Sequence, residues 1–275
     1  MRIYGLDFTS APGRAKPITC AACDLEGHTL NLRALERFET FETFEAFLRR
    51  GGGWVAGFDF PFGQPRKLIA NLGWPATWEG YVAAVASGSL AQFAETLAAY
   101  RSLRPPGDKQ HLRQTDVIAN ARSPMMLYGV PVGRMFFQGA PRLLRSPLSI
   151  LPCRPTADRR IALETYPRLV ANRWIDARQG YKQDDPRRQT SAQRYAREAI
   201  VLGLRGDLRR HYGVALELDD TQIGALIDDG SGDTLDGVLC AAQAAWAYTQ
   251  RDQGYGVPAA CDPIEGWIVD PALMV

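Results

Sequence analysis

The chain has 275 residues, 46% of them hydrophobic and 23% charged, which suits a globular fold with a sizeable core and excludes a disordered or fibrous chain. No apolar run reaches the roughly 18 residues that a membrane helix needs, so no membrane partner is expected. The net charge of +2 conceals a division, with residues 1–63 at −1, residues 64–160 at +8 and residues 161–275 at −5.

The opening "MRIYGLDFTS" reads as a buried strand over residues 2–8 carrying an acid, not as a signal peptide. Together with five cysteines, an odd number that fits reduced thiols, this predicts a cytoplasmic protein. "KPITCAACDL" (16–25) and "TLNLRALERF" (29–38) read as two further strands joined by a glycine-containing hairpin turn. "TFETFEAFLRRGGG" reads as a helix with Phe41, Phe44, Phe47 and Leu48 on one face and Gly51 as a stop. "WVAGFDF" is a fourth strand, and a right-handed crossover lays it parallel to the first or near it. Residues 64–155 hold most of the prolines and the excess positive charge, with a long helical stretch over 78–103, and read as a lid inserted into the sheet core. Trp74 and Trp78 would be exposed on it. "RIALETYP" (160–167) is the fifth strand, and "GDTLDGVLCAAQAAWAYTQR" (232–251) is the strongest helix of the chain. "CAAC" (20–23) has the spacing of a metal or redox pair, but residues three apart on a strand face opposite sides.

Two apolar strands therefore end in an acid each, Asp7 between Leu6 and Phe8 and Asp59 between Phe58 and Phe60. Neighbouring strands lie about 4.8 Å apart, so the two carboxylates would nearly touch at the strand ends, where open α/β sheets bind ligands. Like charges that close require protonation or a cation, and Mg²⁺ or Mn²⁺, which favour carboxylate and water oxygens, is the economical answer. Asp233 and Asp236, three apart, share a face in the first turn of the last helix. Asp233 is equally a helix cap or a ligand, whereas Asp236, one turn in on the packing face, favours function. Glu164 ends the fifth strand and is a metal ligand, a base that orients water, or the partner of an arginine. Lys109, Arg113, Arg122 and Lys182 are candidate phosphate contacts, although each alone is more often a surface or ion-pair residue.

"GLDFTSAP", "GFDFPFG", "RQTD" (113–116), "LETYP" with the downstream "GYK", and "DTLDGVLCAAQAAWAY" resemble the predicted nucleases of the ribonuclease H-like superfamily grouped as domain of unknown function 429. The likeness runs over nearly the whole chain. It implies a single α/β domain over 1–275 with a ribonuclease H-like core. The expected sheet is mixed and five-stranded, ordered 3-2-1-4-5 and flanked by helices, with residues 64–155 as a largely helical basic insertion. It implies two divalent metals, Mg²⁺ or Mn²⁺, held by Asp7, Asp59, Asp236 and, in part, Asp233. Asp7, Asp59, Glu164 and Asp236 would be the catalytic acids of a phosphodiester hydrolase acting on nucleic acid by two-metal chemistry. Gly237 departs from the alanine usual in the related Holliday-junction resolvases, a change in packing. A phosphotransferase or ATPase built on the same core, and a non-catalytic nucleic-acid-binding scaffold, are the alternatives.

Overall fold

A computed structural model describes residues 1–274. The described residues form a mixed sheet of seven strands in the order β5-β6-β4-β1-β2-β3-β7. These are β1 (Arg2–Asp7), β2 (Ile18–Glu26), β3 (Thr29–Phe38), β4 (Trp54–Asp59), β5 (Ser149–Leu151), β6 (Arg160–Glu164) and β7 (Ala215–Glu217). The first three form an antiparallel meander, with Gly27 supplying the positive φ of 59° that the β2–β3 turn requires. β4 runs parallel to both β1 and β6.

Five strands were expected and seven are present. The two extra strands, β5 and β7, have three residues each and lie at the edges of the sheet. Each is defined by its pairing partner, since three residues carry too little pattern to stand out. The expected fifth strand, β6, ends at Glu164, as anticipated, and Pro167 opens a short helix, α7 (Pro167–Ala171).

Period-two alternation gives each face of the sheet its own core. Ile3, Val55, Ile161 and Leu163 point to one face and pack beneath α8 (Ser191–Tyr212) and α10 (Asp233–Thr249). Leu6, Ala56, Phe58 and Ala162 point to the other. That second face is covered by α1 (Phe41–Leu48), where Phe44, Phe47 and Leu48 are buried, and by the insertion. Cys20 belongs to one core and Cys23 to the other.

The insertion contains α2 (Arg66–Asn71), α3 (Trp78–Ala86), α4 (Leu90–Ser102), α5 (Gln114–Ala119) and α6 (Val132–Leu144), and it also contributes β5 to the sheet. The single long helix expected over 78–103 is broken at Ser87–Ser89, where α3 and α4 meet at 112°. Ser89 caps α4 through a capping box with Gln92. Trp78, expected on the surface, is buried and donates its indole N–H to Phe62 O at 2.8 Å, whereas Trp74 is half-buried and stacks on Tyr81. Among the described residues no single helix is long and apolar enough to cross a membrane. The remaining helix, α9 (Asp220–Asp228), leads into α10.

Candidate functional site

The parallel register of β1 and β4 sets Asp7 directly beside Asp59 and, two residues earlier, Gly5 beside Gly57. Both pairs face α10. A Cβ on Gly5 would collide with the backbone of Gly237 and Ala241, and one on Gly57 would lie 2.7 Å from Cys240 O. The two missing side chains let α10 rest on the sheet backbone and bring its first turn over the strand ends. Asp236, fully buried, and Asp233 thereby face Asp7 and Asp59 across the crevice. The chain leaves β1 towards β2 and leaves β4 towards β6, so the crevice is a topological switch point. The tripeptides "GLD" and "GFD" carried this signal, a glycine two residues before each acid.

α10 is held at its start by Asp229. One carboxylate oxygen accepts from Ser231 N and Oγ at 3.0 and 2.6 Å, and the other from Thr234 N and Oγ1 at 3.0 and 2.8 Å. Gly232 takes the left-handed conformation, φ 74°, against the stem of Lys182. Gln183 N donates to Gly230 O at 2.9 Å, which docks the "GYK" segment on the same turn. From there Tyr181 donates its hydroxyl to Asp236 Oδ1 at 2.6 Å, and the Lys182 ammonium reaches Asp236 Oδ2. Lys16, in the loop after β1, donates to Asp233 Oδ1 at 2.7 Å and to Asp184 Oδ1 at 2.6 Å.

The electrostatics are those of crowded acids. Burial, with the charges of Asp236, Asp233 and Asp59, holds the Asp7 carboxyl well above the usual carboxylate range against the pull of Lys182. Burial and the charges of Asp236 and Glu164 push Asp59 up to about 7, again against Lys182. Asp233 is raised by burial and Asp236 despite Lys16. Burial opposes the charge on Lys182, but Asp236 and Asp7 outweigh it and hold the ammonium well above its ordinary value. The charge on Lys182 is thus fixed while its side chain stays 43% exposed at the mouth of the crevice.

Asp7 is only 6% exposed, yet neither it nor Asp59 accepts a hydrogen bond or ion pair from any described residue. Asp59 is half-buried and the oxygens of both acids keep contact with solvent in the crevice, where a cation would satisfy two like charges this close. Among the described residues no three His, Cys, Asp or Glu side chains are arranged to hold a metal ion as they stand. Lys182 and Lys16 account for part of this, since they engage Asp236 and Asp233. The donor set fits a hard divalent cation at Asp7 and Asp59, with Asp236 and Asp233 available once their lysines yield.

Glu164 is turned away from Asp59, although with Arg113 and Asp116 it borders the cavity that adjoins Asp59. It pairs in register with Phe58 and so shares the opposite face of the sheet from Asp59. There Arg113, 2% exposed, makes a bidentate pair with it at 2.6 and 2.8 Å and a second with Asp116 at 2.7 and 3.0 Å. Phe62 N also donates to Glu164 at 2.8 Å. Of the three roles open to Glu164, the arginine partner is the one observed, and Arg113 is spent inside this triad rather than offered to a phosphate. Burial raises the Glu164 carboxyl against the pull of Arg113, whose own charge the two acids secure against burial. Lys109 is exposed in the loop before α5 and does not line the cavity beside Asp59. Arg122 and Lys182 do border this cavity, whose volume is about 360 Å³.

The fold and site define an α/β protein with an acidic crevice at the C-terminal ends of two parallel strands, guarded by two lysines. No family model, curated protein or solved structure matches the chain.

Proposed function

We propose that the chain is a metal-dependent nuclease that hydrolyses phosphodiester bonds at the crevice beyond β1 and β4. The reading rests on one observation above others: Asp7, nearly buried, and Asp59, half-buried, stand side by side with no counterion of their own. Asp7 and Asp59 would hold Mg²⁺ or Mn²⁺, joined by Asp236 and Asp233. When bound, such ions acidify a water and stabilise charge on the leaving oxygen. The chain's own groups do the positioning. Tyr181 fixes one oxygen of Asp236, Asp229 fixes the turn that carries it, and Gly5 and Gly57 fix the height of that turn above the strands. Lys182 sits between the acids and solvent, where its ammonium can exchange Asp236 for a substrate phosphate.

A second reading, a non-catalytic nucleic-acid-binding scaffold, is favoured by the lysines themselves. Lys16 and Lys182 already neutralise two of the four acids. Calorimetric titration of Mn²⁺ separates the two readings. Saturable binding to the wild type, abolished in Asp7→Asn and in Asp59→Asn, is the expected result, followed by cleavage in a panel of DNA and RNA substrates with nucleotide hydrolysis as control. Silence up to millimolar Mn²⁺, repeated with a non-cleavable oligonucleotide present, would leave the scaffold reading standing.

A further inference from the structure

Asp7, Asp233 and Asp236 lie outside the lining of the cavity that adjoins Asp59. That cavity, of about 360 Å³, is within the range of small-molecule sites, roughly 300–1,000 Å³. Its lining is mixed in a particular way. Tyr166, half-buried, and Tyr181 bring aromatic rings, Val130 and Met135 bring an apolar wall from the insertion, Arg122 and Lys182 bring positive charge, and the paired Arg113, Glu164 and Asp116 close its floor. Arg122 is exposed and makes no hydrogen bond or ion pair with any described residue. Val130 is 54% exposed. A metal cluster needs none of this. Nor does Arg122 serve the fold, since it has nothing to balance within it, whereas Lys182 already pairs with Asp236.

We infer that the cavity is a nucleobase pocket, which takes one unstacked base while its phosphate lies between Arg122, Lys182 and the acids. This rests on the nuclease reading for its substrate class and narrows it. A nucleobase offers two flat apolar faces for Tyr166 and the Val130–Met135 wall, and base stacking on aromatic rings tolerates any sequence. The attached phosphate offers the negative charge that Arg122 lacks. A cavity of this size admits a single ring system. A base inside a duplex would have to leave its stack to enter, which costs least where it is already unpaired. The preferred substrate is therefore a single strand, an unpaired end or loop, or a free nucleotide, not an intact duplex.

The test uses full-length protein without added metal and three probes: a nucleoside 5′-monophosphate, a fluorescent single-stranded 12-mer, and the same 12-mer in a blunt duplex. Wild type is expected to bind the single strand at least tenfold tighter than the duplex. Val130→Trp, which puts bulk across the mouth from an exposed position, and Arg122→Glu are each expected to weaken single-strand binding at least tenfold with unchanged melting temperature. Measurable binding of the monophosphate, lost in the same variants, would assign the pocket to free nucleotides as well. Its absence beside tight strand binding would assign it to strands alone. Equal affinity for duplex and single strand, or normal binding by Val130→Trp, overturns the pocket. The two proposals fail separately. Mn²⁺ binding and cleavage that need Asp7 and Asp59 but ignore Val130 would keep the nuclease and discard the pocket. Single-strand binding that needs Val130 and Arg122 without any Mn²⁺ binding would keep the pocket and discard the nuclease.

Discussion

Asp7 and Asp59 are poor residues for stability and well suited to a cation, and the two properties can be measured together. Removing an uncompensated buried charge favours the folded state, whereas removing one member of a satisfied pair does not. Asp7→Asn should therefore stabilise the ion-free protein by about 1–3 kcal/mol, a rise of several degrees in melting temperature, while Mn²⁺ binding is lost. A melting series in EDTA and in Mn²⁺ reads both, and a variant less stable than wild type in EDTA would show that Asp7 has a partner. The pH dependence follows from Asp59, whose carboxyl titrates near 7 in the folded chain and near 3.9 unfolded. Between those values the folded state holds a proton that the unfolded state has released, so this group makes stability fall as pH rises from about 4 to about 7. In EDTA, the difference in stability between Asp59→Asn and wild type should grow over that window and level off above it. Arg113 is the reverse case. Arg113→Met leaves Glu164 and Asp116 buried without a counterion, and should cost about 3–5 kcal/mol in a denaturant titration. It should do so with little change in Mn²⁺ affinity, because the triad lies on the other face of the sheet.

Elements hold the site by contact between backbones, and here the glycines decide. Gly5→Ala drives a methyl into the backbone of α10, which cannot yield as a side-chain end would. Overpacking of this kind costs about 1–3 kcal/mol, and the lifted helix takes Asp236 away from Asp7 and Asp59. A loss of Mn²⁺ affinity beyond tenfold is expected alongside the loss of stability. Gly237→Ala is the control on the same seam. Its Cβ would meet Gly5 O and Ala21 N at 3.3 Å, a tight but adjustable contact, and alanine suits a helix better than glycine by about 1 kcal/mol, so the net change should stay within about 1 kcal/mol. The sequence reading located β1, β4, β6 and α10 because each is a strongly apolar run interrupted by an acid. It missed the break between α3 and α4, since "SGS" interrupts an apolar pattern that resumes at once. It allowed Glu164 an arginine partner but could not say that Arg113 is the one, since the partner 51 residues away is chosen by the register of β6 and not by local spacing. Lys16 was out of reach for the same reason, its acid lying 217 residues on.

At the scale of the molecule, the insertion is part of the core rather than a cover over it. Leu68, Trp78, Tyr81, Phe93 and Phe136 form one continuous cluster with Leu6 and Phe58 of the sheet, so the second face of the sheet has no other covering over that area. The C-terminal segment ties the arrangement from outside. Glu265 accepts from Arg66 N at 2.6 Å and from Gln114 N at 3.1 Å, Tyr81 donates to Ile264 O at 3.0 Å, and Arg66 pairs with Asp262. Ile268 then bridges to Glu164, which returns the chain to the sheet beside Arg113. An insertion bound on one side by the core and on the other by the C-terminus cannot melt ahead of either. Unfolding should therefore be a single transition, with the fluorescence of a variant that keeps only Trp74 and Trp78 of the six tryptophans, both in the insertion, coincident with far-ultraviolet circular dichroism of the whole chain. Ending the chain at Ala260 should lower the fluorescence and dichroism midpoints together, because the same residues clamp both parts. Separate midpoints, with the fluorescence change first, would mean that the insertion opens by itself, and the nucleobase pocket, whose apolar wall it supplies, would then be a feature of only one of two conformations.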